Sequence, residues 1–237
     1  MFTQENLGQY TIKQVIVEVR HPINLLFKIE ARKHLNKFVD DVEKINITGN
    51  DDSFEFVNGE KYYKFVADLG RFGMTVENVE SIEIAEQLIK KYLVPISAEL
   101  GSKICNRFGV RVVYLYPFKD SFENLIEIYK KVFYRDTTIF DPIGKIKDVG
   151  LVALTLREDN GLDINLSLGP FKKEEIKTKI SNFKTYDDVI PASLMLDIDI
   201  FKSEKRDLSF SSTLHSYLEQ SRIKAVKFRE ELFKVKV

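Results

Sequence analysis

The sequence predicts an α+β protein in which one strand–helix–sheet–helix unit occurs twice. Strand-like runs at residues 15–22 (VIVEVRHP) and 110–117 (VRVVYLYP) lie 95 residues apart, and each ends in a ring-bearing residue followed by proline. An Asn-Gly pair follows each run, at Asn58-Gly59 and Asn160-Gly161, and this pair is a strong β-hairpin signal. Each half closes with a long helical pattern. We therefore expect one fused domain, residues 1–237, with repeats at about 9–107 and 108–237.

The first repeat begins with alternating apolar and polar residues, which predict a strand at 9–21. Helical spacing then predicts a helix at 23–39, with five residues facing inward: Leu25, Leu26, Ile29, Leu35 and Phe38. Short strands are predicted at 43–48, 53–57, 61–68 and 72–76. A long helix begins at Ser81, contains Pro95 and carries an apolar stripe as far as Ile104. Cys105 is expected at the end of this helix as a buried, inert thiol.

The second repeat shows the same order of elements. A strand is predicted at 109–118, a helix at 121–133, and a hairpin with strands at 148–157 and 161–168. A charged insertion at 169–191, with a short helix in it, precedes a strand at 192–201. The chain closes with a helix at 211–234. The insertion has no counterpart in the first repeat.

These elements predict one curved antiparallel sheet with all helices packed on one face, because that arrangement buries every apolar stripe. The sheet surface opposite the helices is called the open face below, and we expect it to be exposed to solvent. No Gly-, Ser- or Pro-rich linker separates the halves, since residues 107–109 pass directly from helix to strand.

Charge and composition restrict the classes of partner. Thirty-six basic and thirty-six acidic residues cancel, so no net field attracts nucleic acid or anionic lipid. No apolar run reaches the length of a membrane span, and the first residues have no signal-peptide pattern. We expect a cytoplasmic protein with no membrane partner and no cofactor.

The candidate ligand-binding residues are polar groups that alternate with apolar residues on predicted strands. They are Glu18, Arg20, Asp163, Asn165, Asp197 and Asp199. If the apolar sides meet the helices, the four side chains of the second half belong to the open face. Glu18 and Arg20 join them if the register of the opening strand places them on that face. Their carboxylates could hold a hard divalent cation or a proton-sharing pair. A solvated antiparallel face shows the same alternation, and this is the simpler interpretation.

Two other groups of residues are weighed as sites. The three histidines are His21, His34 and His215. They lie on different elements and accompany no nucleophile motif, so no catalytic residue is assigned. Strand aromatics near basic residues could stack single-stranded nucleic acid: Tyr62, Tyr63, Phe65, Tyr114 and Tyr116. Core packing is the favoured interpretation of these aromatics, because Tyr114 and Tyr116 share a face with valines.

Three segments carry a family resemblance. RFGVRVVYLYPF (107–118), LMLDIDIF (194–201) and LHSYLEQSRIKAVKF (214–228) resemble landmarks of a sporadically distributed family of uncharacterised prokaryotic proteins of similar length. Members usually have an asparagine in the first segment that is missing here. The resemblance implies no catalytic residues, and its patchy distribution implies accessory genes such as those of defence systems. The repeated unit is also similar to the TATA-binding saddle and to helix-grip proteins, which is an analogy of fold alone.

The sequence thus favours a non-enzymatic binding or interaction module. Its open face or the groove at its pseudo-twofold axis would bind an unknown small ligand or protein partner. The first alternative is a metal-dependent enzyme centred on Asp163, Asp197 and Asp199, with Glu18 as a further group. The second is a nucleic-acid-binding saddle, which the neutral charge disfavours. A homodimer through the final helix or an exposed sheet edge is a further expectation, because Ile223, Val226 and Phe233 lie outside the main stripe of that helix.

Overall fold

Within the described part of the chain, one open antiparallel sheet of nine strands forms the centre of the fold. In the computed structural model the described residues are 1–25, 29, 33, 36–41, 43–48, 53–99, 104–134, 148–180, 192–203, 206–207 and 209–235. The α+β class and the antiparallel sheet are therefore as the sequence predicts.

The strands of the large sheet are β1 (Thr11–Arg20), β2 (Lys44–Thr48), β3 (Ser53–Asn58), β4 (Tyr63–Asp68), β5 (Arg71–Val79), β7 (Arg107–Pro117), β8 (Val152–Arg157), β9 (Asp163–Phe171) and β10 (Ser193–Lys202). In the sheet these strands lie in the order β2-β3-β4-β5-β1-β7-β10-β9-β8. Two short strands, β6 (Ile104–Cys105) and β11 (Arg206–Asp207), pair separately. The helices are α1 (Ile82–Glu99), α2 (Phe122–Phe133), α3 (Lys173–Glu175) and α4 (Phe210–Lys234). A 3-10 helix spans Asn36–Asp41, and a π-helical segment spans Ile176–Ile180.

The two halves meet where β1 pairs with β7 in the middle of the sheet. In each half the first strand is central, and the following strands return to it from the outer edge: β2 to β5 beside β1, and β8 to β10 beside β7. This shared order agrees with the expected arrangement of two units edge to edge. The duplication itself stays a prediction.

One face of the sheet forms the main core. Val15, Val17 and Val19 of β1 are fully buried, as are Val110 and Val112 of β7. Helix α1 packs on β5 and β1, α2 on β9 and β10, and α4 on β7, β10 and α1. All three long helices therefore cover the same face, as predicted.

Buried tyrosines fix α4 against β7. The Tyr116 hydroxyl donates to the backbone carbonyl oxygen of Ala225 at 2.7 Å, and the Tyr114 hydroxyl shares a 3.0 Å hydrogen bond with Ser221 Oγ. Buried hydroxyl groups need such partners, because an unmade hydrogen bond costs the full desolvation penalty. The interpretation of these two tyrosines as core residues is confirmed.

The opposite face is only partly open, so the expectation of a wholly exposed face is wrong at one end. There the π-helical segment packs on the sheet, and a second apolar cluster forms from Val113, Leu115, Phe171, Ile176 and Met195. Gln14 Nε2 also donates to the backbone oxygen of Ile180 at 3.2 Å. The short helix predicted in the charged insertion is confirmed at 173–180. Residues 181–191 of that insertion lie outside the described part of the chain.

Helix boundaries and inward residues differ from the predictions in the first half. Helix α1 is described to Glu99, and Cys105 lies in β6, opposite Arg206, although it is buried as expected. Short apolar runs fit either a helix or a strand, and here cross-strand pairing decides. Leu25 and Ile29 were expected inside but are 73% and 56% exposed. Leu26 and Leu35 lie outside the described residues, as does most of the helix predicted at 23–39.

Residue Tyr62 also departs from its predicted strand position. It lies in the turn before β4 with a φ of 52°. The Asn58-Gly59 hairpin connects β3 to β4 as predicted.

No helix in the described part of the chain has the length and apolar character that a membrane span requires.

Two glycines flank Glu18 in the sheet, and they tolerate a side chain differently. A Cβ at Gly73 would lie 2.4 Å from the backbone oxygen of Val17, whereas one at Gly109 would first meet the Arg107 guanidinium at 2.9 Å. Backbone in a paired strand has little room to move, but the end of an arginine side chain does. We expect Gly73→Ala to lower the free energy of unfolding by about 2 kcal/mol or more and Gly109→Ala by about 1 kcal/mol or less. Urea denaturation measures both, and equal losses would contradict this account of the packing.

Candidate functional site

The centre of the open face is set by the register of β5, β1 and β7. Glu18 on β1 lies directly opposite Gly73 on one side and Gly109 on the other. Arg20 lies directly opposite Arg71 and Arg107 in the same way. Directly opposed residues of antiparallel strands share a face. The two positions directly beside Glu18 on the neighbouring strands therefore carry no side chain. The next set of directly opposed residues on this face consists of three arginines.

Strands β10 and β9 place the predicted acidic residues on the same face. Asp199 lies opposite Arg111 on β7 and Asn165 on β9, and Asp197 lies opposite Ser167. Asn165 Nδ2 is 3.5 Å from Asp199 Oδ2. The structure thus brings Asp199 and Asn165 next to the arginines of β7.

The guanidinium of Arg107 lies between two carboxylates from different strands. Its Nη1 donates to Glu18 Oε1 at 2.8 Å, and its Nη2 donates to Asp199 Oδ2 at 3.1 Å. The missing side chain of Gly109 makes this position available, because a Cβ there would lie 2.9 Å from Arg107 Nη1. The ring of Phe201 lies 4.6 Å from the guanidinium carbon. Arg107 is therefore held flat on the sheet and is only 18% exposed.

A second arginine, Arg111, forms a two-point contact with Asp197. Its Nε donates to Asp197 Oδ1 at 2.8 Å and its Nη2 donates to Oδ2 at 2.6 Å. Such forked contacts are stronger and more directional than single ones. The hydrogen bond to Asp197 raises the pKa of Arg111. The Arg111 side chain is 47% exposed, so part of its guanidinium faces solvent.

These groups enclose a shallow cavity of about 180 Å³ above Gly109. Its lining residues are Ile16, Glu18, Arg107, Gly109, Arg111 and Asp199. Pockets for drug-sized ligands usually measure about 300–1,000 Å³. The cavity therefore fits a small ligand or the polar head group of a larger one, and its lining offers both hydrogen-bond donors and acceptors. The sequence predicted two of the lining residues, Glu18 and Asp199.

Of the two carboxylates that line the cavity, Asp199 has the weaker contact with Arg107. Burial raises the pKa of Asp199, and the charge of Arg107 only partly opposes that shift. Its contacts are also long, at 3.1 Å to Arg107 and 3.5 Å to Asn165. Asp199 therefore keeps capacity to accept hydrogen bonds from a bound group.

The remaining acidic residue of the prediction, Asp163, lies apart from this network. It is opposite Phe201 and forms a two-point contact with Arg157, at 2.7 and 3.0 Å. Among the described residues no group of three or more His, Cys, Asp or Glu side chains is placed to hold a metal ion. The convergence of Asp163 with Asp197 and Asp199, which the metal-dependent alternative needs, is not found in the described part of the chain.

Sequence reasoning missed the arginines that complete the site. Arg71, Arg107 and Arg111 are not among the residues that the sequence predicts for the site. A signal was present in the Arg-x-Gly-x-Arg spacing of residues 107–111. That spacing puts two arginines and one glycine on a single strand face, because they alternate with the buried residues Phe108 and Val110.

The other residues weighed from the sequence do not join the site. His21 is buried against Phe72, His215 pairs with Glu86, and His34 lies outside the described residues. The strand aromatics considered for nucleic-acid stacking are mostly buried in the core: Tyr63, Phe65, Tyr114 and Tyr116. On α4, Ile223 and Val226 are 40% and 37% exposed. The homodimer stays a prediction.

The comparisons with family models and with curated proteins identify no family for this chain. No protein-family model matches the sequence, and no curated protein matches it significantly. The resemblance to the sporadically distributed family therefore stays a prediction. Together, the fold and the candidate site define an α+β protein with an arginine–carboxylate network on the exposed part of an antiparallel sheet.

The pKa shifts at Asp199 and Asp163 predict opposite dependences of stability on pH. The raised pKa of Asp199 means that the folded state binds the proton more tightly, so its ionisation lowers wild-type stability as pH rises above about 4. Asp199→Asn removes that penalty. The variant should gain stability relative to the wild type as the pH rises from about 4 through the raised pKa of Asp199.

Asp163→Asn is the matched control. The hydrogen bond from Arg157 lowers the pKa of Asp163, so ionised Asp163 stabilises the fold above its ordinary pKa, and this contribution is lost as pH falls through the lowered value. Asp163→Asn should therefore lose stability relative to the wild type as pH rises through about 4. Urea denaturation across this range measures both differences. Trends of the same sign in the two variants would contradict the account.

Proposed function

We propose that the protein is a non-enzymatic binding module whose ligand occupies the cavity above Gly109 on the open face. The observation that carries this proposal is the space left between Glu18, Arg107, Arg111 and Asp199, which are charged residues from three strands that lie around Gly109. Exposure to solvent alone does not explain why charged side chains are arranged around a cavity. The ligand would be a small polar molecule or the head group of a larger one.

The charges at the cavity support recognition by hydrogen bonds rather than by net attraction. Glu18 and Asp199 balance Arg107 and Arg111, so the lining has no net formal charge. A ligand that supplies both an acceptor for Arg111 and a donor for Asp199 would satisfy groups that are now partly solvated. Such a ligand exchanges water for directed contacts, which favours specificity.

Neither alternative function has a comparable observation in its favour. The carboxylates needed for a metal-dependent enzyme accept hydrogen bonds from arginines instead, as in the contact of Arg111 with Asp197. The aromatic platform needed for single-stranded nucleic acid lies in the core at Tyr114 and Tyr116. Both remain less favoured proposals.

The test is a set of NMR titrations that cover the main chemical classes of small polar ligand. Acetate, inorganic phosphate, glycine and guanidinium chloride are added separately at constant ionic strength, and the arginine Nε–H signals are followed. At least one probe should shift the Arg107 and Arg111 signals saturably. Gly109→Ala should weaken that binding about tenfold, a change of about 1.4 kcal/mol, because the added methyl group displaces the Arg107 guanidinium.

Gly150→Ala is the matched control, since a Cβ at Gly150 meets no heavy atom within 4 Å. Binding to this variant should equal that of the wild type. Two results would contradict the proposal: no saturable shift with any of the four probes, or equal weakening in Gly109→Ala and Gly150→Ala.

A further inference from the structure

Three arginines stand directly opposite one another on adjacent strands of the open face. Arg71 of β5, Arg20 of β1 and Arg107 of β7 form one cross-strand row, called the arginine row below. Like charges placed directly opposite in a sheet destabilise it. A fold that keeps such a row must neutralise it locally, and positions that break a local rule of stability are often functional.

The carboxylate of Glu18 is the counter-ion that all three arginines share. Its Oε1 accepts from Arg20 Nε at 2.8 Å and from Arg107 Nη1 at 2.8 Å, and its Oε2 lies 3.7 Å from Arg71 Nη1. The missing side chain of Gly109 leaves the space through which the Arg107 guanidinium reaches Glu18. One internal carboxylate thus occupies the position where three cations meet.

The arginine row keeps much of its donor capacity. Arg20 and Arg71 are 55% and 53% exposed, and each guanidinium has five N–H donors. Hydrogen bonds within the described residues engage only the Nε–H of Arg20, to Glu18, and the Nε–H of Arg71, to Asp68. The outer edges of both guanidinium groups therefore remain free to bind anionic oxygens from solvent.

We infer that the arginine row binds an anionic oxygen group of the ligand, a phosphate or a carboxylate. This inference rests on the proposed function, because Arg107 belongs both to the row and to the cavity above Gly109. The planar guanidinium matches such oxygens with paired hydrogen bonds. The Glu18 carboxylate occupies the position of such a group within the protein. It holds the arginines in place when no ligand is bound and competes with the anionic group of the ligand.

Replacing the internal carboxylate tests this competition directly. Glu18→Gln keeps the side-chain shape but removes the charge that repels an incoming anion. Calorimetric titration with inorganic phosphate, at constant ionic strength set by chloride, should give about tenfold tighter binding to Glu18→Gln than to the wild type. A parallel titration with acetate distinguishes a phosphate ligand from a carboxylate ligand by which anion gains more.

The control for Glu18→Gln is Glu55→Gln. Glu55 also belongs to an ion pair on this side of the molecule, with Lys64 at 2.6 Å, but it lies outside the arginine row. Phosphate binding to Glu55→Gln should equal that of the wild type. Tighter binding in both variants would show a general charge effect and would overturn the inference.

A second pair of variants removes cations instead. Arg20→Gln should weaken phosphate binding severalfold, whereas Arg157→Gln should leave it unchanged, because Arg157 is an exposed arginine paired with Asp163 away from the row. Equal phosphate affinity in the wild type, Glu18→Gln and Arg20→Gln would overturn the inference. If a probe still binds in a manner sensitive to Gly109→Ala, the proposed function stands and only the anion assignment fails. If no probe binds, both fail.

Discussion

The antiparallel pairing of β1 with β7 is the interaction on which the other features depend. It joins the two halves of the chain into one sheet, and it places the buried valines of both strands under α1 and α4. The same register puts Glu18 opposite Gly109 and Arg20 opposite Arg107. Because side chains alternate along a strand, a slip of one residue would move the charged set into the core. Core and candidate site are thus set by one choice of register.

The charges of the open face are balanced locally, residue by residue. Arg111 meets Asp197, Arg107 meets Glu18 and Asp199, and Arg71 meets Asp68. This pairing agrees with the equal numbers of acidic and basic residues in the whole chain. Exposed ion pairs contribute little to stability, about 0–1 kcal/mol each. The network is therefore better explained by the ordering of side chains around the cavity than by stabilisation of the fold.

The sequence predicts the elements well where local chemistry decides them. Alternation marks β1 and β7, the Asn58-Gly59 pair marks the β3–β4 hairpin, and Ser121 is the N-cap of α2, accepting from the Asn124 amide at 3.2 Å. Prediction fails where pairing partners lie far apart in the chain. Cys105 joins a strand because it meets Arg206, which no local pattern reveals.

The same limit applies to the candidate site. The alternation of Asp197 and Asp199 places both on the open face, but their partners are arginines 86 and 92 residues away. The carboxylates considered alone therefore suggest a metal site. The sheet register instead places arginines beside them, and these arginines donate hydrogen bonds to the carboxylates. Burial of one end of the open face by the segment at 173–180 was likewise not predicted, because the charged sequence of that insertion gives no local sign of which surface it packs on.

The most direct test of the account is a crystal structure of the protein grown or soaked in phosphate. We expect a tetrahedral anion in contact with Arg20, Arg71 and Arg107, with the Glu18 carboxylate turned away from at least one of them. An anion bound only at arginines outside the row, such as Arg157, with Glu18 still in contact with all three arginines, would contradict it.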